Sequence, residues 1–175
     1  DEDMTALITL LDFTADGDLR RRCRHVLDLL FLDLATHTFH GAFGSSHGRS
    51  YQVEKTDAGL ESTTDTCRLA FGLGRYSLRD NMTAPVLAVS PEYRVPAVFE
   101  RIARSNAGTD IYHRAGIRIR EARQWGLDPR RDDDAFVLLS FEAYTHPATI
   151  NGTMRLFDRY RWWDNRFFAP FRRNR

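Results

Sequence analysis

The chain has 175 residues, 42% apolar and 28% charged, the make-up of an ordinary globular protein long enough to bury a core without disulfide or metal staples. Its formal net charge of +1 excludes the strongly cationic class of nucleic-acid binders, and the skew among basic residues, with Lys55 the only lysine, reflects base composition rather than a basic face. No run reaches the roughly 18 apolar residues that cross a bilayer, because Asp28 and Asp33 interrupt the best candidate. Neither nucleic acid nor membrane is an expected partner.

The chain opens on Asp1, already inside a helical pattern with Leu7, Leu10 and Leu11 on one stripe, and so reads as a piece of a longer protein. The turn DFTADGD, with Asp16 or Asp18 as cap, leads into a second helix from about Leu19 to His37. Cys23, Val26, Leu27, Leu30 and Leu34 fall at helical spacing there, and Leu29, Phe31 and Leu32 fill the remaining faces, which predicts a central helix buried on all sides. The short connection makes the first two helices an antiparallel hairpin. Cys23 and Cys67 are too few for a disulfide framework and read as buried, reduced thiols.

After a Gly/Ser-rich turn from Gly41 to Ser50, ESTTDTCRLAFGLG reads as a third helix ended by Gly72 or Gly74. Shorter helical pieces follow over Asn81 to Val89 and Pro96 to Ala103, the second opened by its proline. Between Gly108 and Gly126 the pattern alternates like a strand at Ile117 and Ile119, yet its charges suit a surface helix. Asp132 to Tyr144 is a helix with three aspartates against the dipole, Pro147 closes it, and Ala148 to Phe168 is a last helix weakened at Gly152. The expected class is mainly α, a single helical domain over residues 1–175 built from helix-turn-helix units.

The chemistry concentrates in SSHGRSY, residues 45–51, directly after the most apolar helix. In an extended segment His47, Arg49 and Tyr51 share one side, with Gly48 and Ser50 letting a ligand approach the backbone. A guanidinium grips a carboxylate with two hydrogen bonds, and an imidazole or phenol moves a proton. The competing reading is a polar turn whose side chains tie down neighbouring carbonyls. Asp33 and His37, four apart, share a helix face, with Asp33 orienting or satisfying the imidazole; His40 follows one short step later. With His47 these histidines do not make a metal site, because the zincin glutamate is missing and no cysteine joins them. Glu142 and His146 repeat the acid-to-histidine spacing as a helix-end pair. Trp162 and Trp163, beside Tyr160, offer stacking faces for a sugar, unless they are core. No cofactor fingerprint is present; Gly72-Leu-Gly74 lacks the third glycine and the preceding strand.

The hairpin DEDMTALITLLDFTADGDLRRRCRHVLDLLFLDLATHTF, followed by GAFGSSHGRSY, resembles part of an (α/α) toroid, the fold of many polysaccharide lyases and glycoside hydrolases. The resemblance spans roughly residues 1–105 and is one of pattern. It implies apolar inner helices, inter-helix turns lining a cleft, and a cleft occupied by an oligosaccharide or polysaccharide, with the remainder of the parent chain completing the ring. In lyases of this type a tyrosine or histidine removes the proton beside a uronate carboxylate while Arg, Asn or His neutralises the developing charge. By residue type, His47 or Tyr51 takes the first role and Arg49 the second, with His40, Trp162 and Trp163 as substrate contacts; the family's Asn-His pair has no identifiable counterpart here. The expectations are therefore an elimination on an acidic polysaccharide, a hydrolase using Asp33 and Glu142, or a non-catalytic helical scaffold or binding domain.

Overall fold

The computed structural model describes residues 2–44, 51–77, 81–105, 110–112, 118–140 and 146–174, and the chain forms two compact units, residues 1–111 and 112–175. The protein is mainly helical.

In the first unit α1 (Glu2–Phe13) and α2 (Gly17–His37) pack against each other as a hairpin. Asp16 caps α2, its Oδ1 accepting the backbone N–H of Asp18 at 2.9 Å and of Leu19 at 3.1 Å. The buried stripe of α1 is Met4, Ile8 and Leu11, with Leu7 at its margin and Leu10 turned outward, so the face is rotated from the expected leucine stripe. On α2 the core residues are Cys23, Leu27, Phe31, Leu34 and Ala35. The expectation that α2 is buried on all sides is corrected: Leu29 is 64% exposed and Val26 42%, and Leu30 is only partly buried. An apolar side chain on the outer face costs little, whereas the inner positions obey the 3.6-residue period.

Three further helices close this core. Helix α4 (Thr64–Phe71) ends at Gly72 in the left-handed conformation, and α5 (Thr83–Val89) and α6 (Ala97–Arg104) pack against it. Pro96 stands just before α6 as its cap rather than as its first helical residue. The 90–95 connection is fastened to the hairpin by side chains. The Ser90 hydroxyl donates to Asp12 Oδ1 at 2.7 Å, Arg20 pairs with Glu92 at 2.5 Å, and the Tyr93 hydroxyl donates to Asp28 Oδ1 at 3.0 Å. Tyr93 is fully buried against Phe31, ring centroids 5.5 Å apart; burial, then the bond to Asp28, pushes its phenol well above the ordinary range.

Two features, a strand hairpin and a short helix, have no counterpart in the sequence reading. At the exit of α2, β1 (Thr38–Phe39) and β2 (Ala42–Phe43) form a minimal antiparallel hairpin with Thr38 opposite Phe43. Its two-residue loop, His40-Gly41, has positive φ at both positions, +50° and +85°, the pattern of the turn that suits strand twist. A short helix, α3 (Gln52–Thr56), follows residues 45–50 in the chain.

In the second unit one turn of helix, α7 (Ile119–Ala122), is followed by a tighter turn ending at Gly126, and α8 (Asp132–Ser140) packs on α9 (Pro147–Arg159). Pro147 opens α9, and His146 caps it, Nδ1 accepting the Ala148 N–H at 3.1 Å; residues 141–145, where the preceding helix is expected to end, lie outside the described residues. Gly152 is buried where a Cβ would lie 3.4 Å from that of Ala135, so it sets the closeness of α8 and α9. The expected continuation of the last helix to Phe168 is also corrected. Arg161 takes a left-handed φ of +56°, and the Trp163 indole donates to Asp158 Oδ1 at 3.0 Å, folding the aromatic run back onto Phe157.

Candidate functional site

The end of the first unit where α2 stops is built from loops. Backbone pairing between the Gly44 N–H and the His37 carbonyl at 2.8 Å closes the hairpin, and the chain then enters residues 45–50. His47 and Arg49 lie outside the described residues. Tyr51, where the description resumes, caps α3; its N–H donates to Glu54 Oε2 at 2.6 Å and its side chain is 60% exposed. His40 sits exposed in the hairpin loop, its ring edge-on to Phe39 at 4.2 Å. The described ends of the loop thus carry an accessible imidazole and an accessible phenol.

Around this end of the unit runs a set of close contacts and polar ties. Gly41 and Gly74 meet backbone to backbone: a Cβ on Gly41 would fall 2.3 Å from the Gly74 Cα. Strand β2 packs on α4 and on the 58–60 turn. Asp57 accepts the Gly59 N–H at 2.8 Å and pairs with Arg75 at 2.8 Å. Asn81 donates to the Ser62 carbonyl at 2.8 Å and accepts the Ala84 N–H at 2.7 Å. Two buried carboxylates complete the frame. Glu61 accepts the N–H of Thr63 at 2.8 Å and the hydroxyls of Thr63 and Ser62, while Asp65 accepts the Ser77 N–H at 2.5 Å. Each charge is matched by fixed donors, which is how a carboxylate survives burial.

The sequence reading took Glu61 to Thr66 only as a helix start. Its signal was available: six consecutive carboxylate and hydroxyl residues exceed what one cap requires. Cys67, fully buried behind them, has its thiol 3.6 Å from the Thr38 hydroxyl and pushed up to about 11 by burial. Neither Cys67 nor Cys23 forms a disulfide.

His37 Nδ1 lies 2.8 Å from the Asp33 carbonyl and 3.1 Å from Asp33 Oδ1, so the last turn of α2 fixes the imidazole. A proton on Nδ1 satisfies the carbonyl and leaves Nε2 as an acceptor. The other half of the proposed hydrolase pair, Glu142, lies outside the described residues. Trp162 and Trp163 belong to the second unit. Trp163 is buried, and Trp162 is half-buried between Phe157 and Phe168; the exposed rings of that segment are Tyr160 and Phe167.

Among the described residues no group of three or more His, Cys, Asp or Glu is placed to hold a metal ion, and no helix is long and apolar enough to cross a membrane. No family model, curated protein or solved structure matches the chain.

Proposed function

We propose that this chain is part of an (α/α)-toroid carbohydrate-active protein whose loop cluster at the end of α2 acts on an acidic polysaccharide by proton abstraction and elimination. The observation that supports this reading is the frame itself: Glu61, Asp65, Asn81 and the Gly41–Gly74 contact tie down the described backbone at this end of the unit, and the rings of His40 and Tyr51, which flank residues 45–50 in the chain, are accessible. Such a frame fixes groups before a ligand arrives, and preorganisation lowers a barrier where charge develops. In the proposed step Arg49 holds the uronate carboxylate and Tyr51 or His47 takes the proton on the adjacent carbon. The electron pair forms a carbon–carbon double bond as the glycosidic oxygen leaves and is protonated. His40 contacts the sugar.

The test is an ultraviolet assay on a panel of uronate polymers with the full-length protein. The expected result is an absorbing unsaturated product, diminished by Arg49→Lys, which keeps charge but loses the planar fork, and abolished by Tyr51→Phe. New reducing ends without absorbance mean hydrolysis, and no product at all refutes an enzyme. That last outcome favours a helical binding domain, a reading supported by one observation: the described carboxylates of the cluster, Asp57, Glu61 and Asp65, are all engaged in caps and ties.

A further inference from the structure

The second unit carries a groove of about 590 Å³ lined by Arg130, Arg131 and Arg159, by the three aspartates that open α8, and by Tyr160. We infer that this groove binds a neutral oligosaccharide, with Tyr160 as the stacking platform and the arginine–aspartate pairs as the hydroxyl-reading surface. The inference shares a ligand class with the reading above but none of its residues.

Three observations converge on that chemistry. The charges cancel, three guanidinium groups against three carboxylates, so the groove offers no net attraction for an anion. The charges are also held in place. Arg159 pairs with Asp132 at 2.5 Å, Asp132 is also within 3.3 Å of Arg155, Arg131 donates to Asp134 at 2.6 Å, and Arg130 grips Asp128 through Nε at 3.0 Å and Nη2 at 2.8 Å. Each of these arginines retains N–H donors beyond its bond, and Asp133 makes no side-chain bond among the described residues. Fixed donors beside fixed acceptors match the hydroxyls of a sugar, which both donate and accept.

The third observation is the ring. Tyr160 is 48% exposed, and it is braced from behind by Phe136 and Trp162, whose centroids lie 5.9 and 6.0 Å away. A braced, open aromatic face takes the C–H side of a pyranose, whereas a phosphate or a bare carboxylate has no use for one. Polar groups converging beside an apolar platform make a small-ligand site rather than a protein-docking face.

The deciding experiment titrates the 175-residue chain with neutral gluco-, manno- and xylo-hexaoses and with a uronate hexamer, by calorimetry and saturation-transfer NMR at low and high salt. Binding of at least one neutral hexaose is expected, with an affinity that salt barely changes. Tyr160→Ala should weaken it about tenfold, whereas Tyr160→Phe, which keeps the ring, should hold it within about twofold. Asp133→Asn should weaken it more modestly, and the near-ultraviolet dichroism of each variant reports that the unit remains folded. Three results overturn the inference: no neutral sugar binding at about 10 mM ligand, where a Kd of about 1 mM is visible; salt-sensitive binding of the uronate alone; or equal losses in Tyr160→Ala and Tyr160→Phe. Loss of uronate cleavage in Arg49→Lys with hexaose binding intact would separate this site from the loop cluster.

Discussion

The two units use charge in opposite ways. In the loop cluster of the first unit the carboxylates of Glu61 and Asp65 are 5% and 8% exposed and are matched mainly by backbone N–H groups and hydroxyls. In the second unit Asp128, Asp132 and Asp134 meet guanidinium groups that are themselves largely exposed. A buried carboxylate loses its hydration and must recover every lone pair, so removing its donors is expensive; an exposed ion pair keeps its water and is screened. The first arrangement therefore fixes backbone, and the second links exposed guanidinium groups to carboxylates, Asp132 on α8 reaching Arg155 and Arg159 on α9.

The largest test of that contrast strikes the backbone seam. Gly41→Ala puts a methyl into Gly74 at a φ of +85°, and should cost at least about 3 kcal/mol or prevent folding, read as denaturant midpoint or yield. A near-wild-type midpoint would mean that the hairpin is not anchored to the 72–77 loop. Next in size is the core of α2. Leu27→Ala should cost about 2–5 kcal/mol, whereas Leu30→Ala, at a partly buried position, should fall near or below the lower end of that range. Equal losses would restore the picture of a helix buried all round.

Glu61→Gln sharpens the comparison more finely. It keeps the volume but turns an amide group toward the Thr63 donors, so a loss of about 1–3 kcal/mol is expected. Asp128→Asn in the other unit should leave the melting temperature unchanged at physiological salt. The Arg130 fork holds the Asp128 carboxyl well below the usual carboxylate range, but solvent around the exposed Arg130 screens the gain. Any small difference from wild type should be present above the ordinary value of 3.8 and vanish as the pH falls below it, because the folded state then gives up its advantage in holding the anion. A large effect of Asp128→Asn would erase the distinction between the two kinds of pair.

The smallest expected effect concerns the thiol behind the cluster. Cys67 is raised by burial from 9.0 to about 11, so the folded state favours the proton. Its contribution is complete below the ordinary thiol range and is lost as pH climbs from about 9 toward 11, giving a modest alkaline fall in melting temperature that Cys67→Ala should reduce. At pH 8 a native thiol titration should leave Cys67 unmodified.

Which parts of this were legible in the sequence follows from what a pattern can carry. Helices α1, α2, α4, α5, α6 and α8 announce themselves through period, caps and glycine stops; Asp16 and Gly72 act where the residue types said they would. The hairpin at residues 38–43 was invisible because two-residue strands have no period, and its turn pairs glycine with a histidine at positive φ. The rotation of the α1 stripe was hidden because Leu10 is as apolar as Leu11, and only the partner helix selects between them. The end of α9 at Arg159 depends on an indole bonding Asp158, a tertiary event that composition does not encode. For the candidate site, the sequence singled out residues 45–51 by their chemistry, of which Tyr51 alone is described, and missed the Glu61 to Thr66 frame, because capping groups and framing groups are the same residue types.

The meeting of Gly41 and Gly74 has a consequence for how this protein can vary. Neither position accepts a side chain, since each Cβ would enter the other's backbone, so the two behave as one inherited character spread over distant codons. No single exchange at either position is rescued by an exchange at the other, because the obstruction is main chain and main chain does not shrink. The seam is therefore a part that selection must keep whole, and divergence between related chains has to be sought away from it.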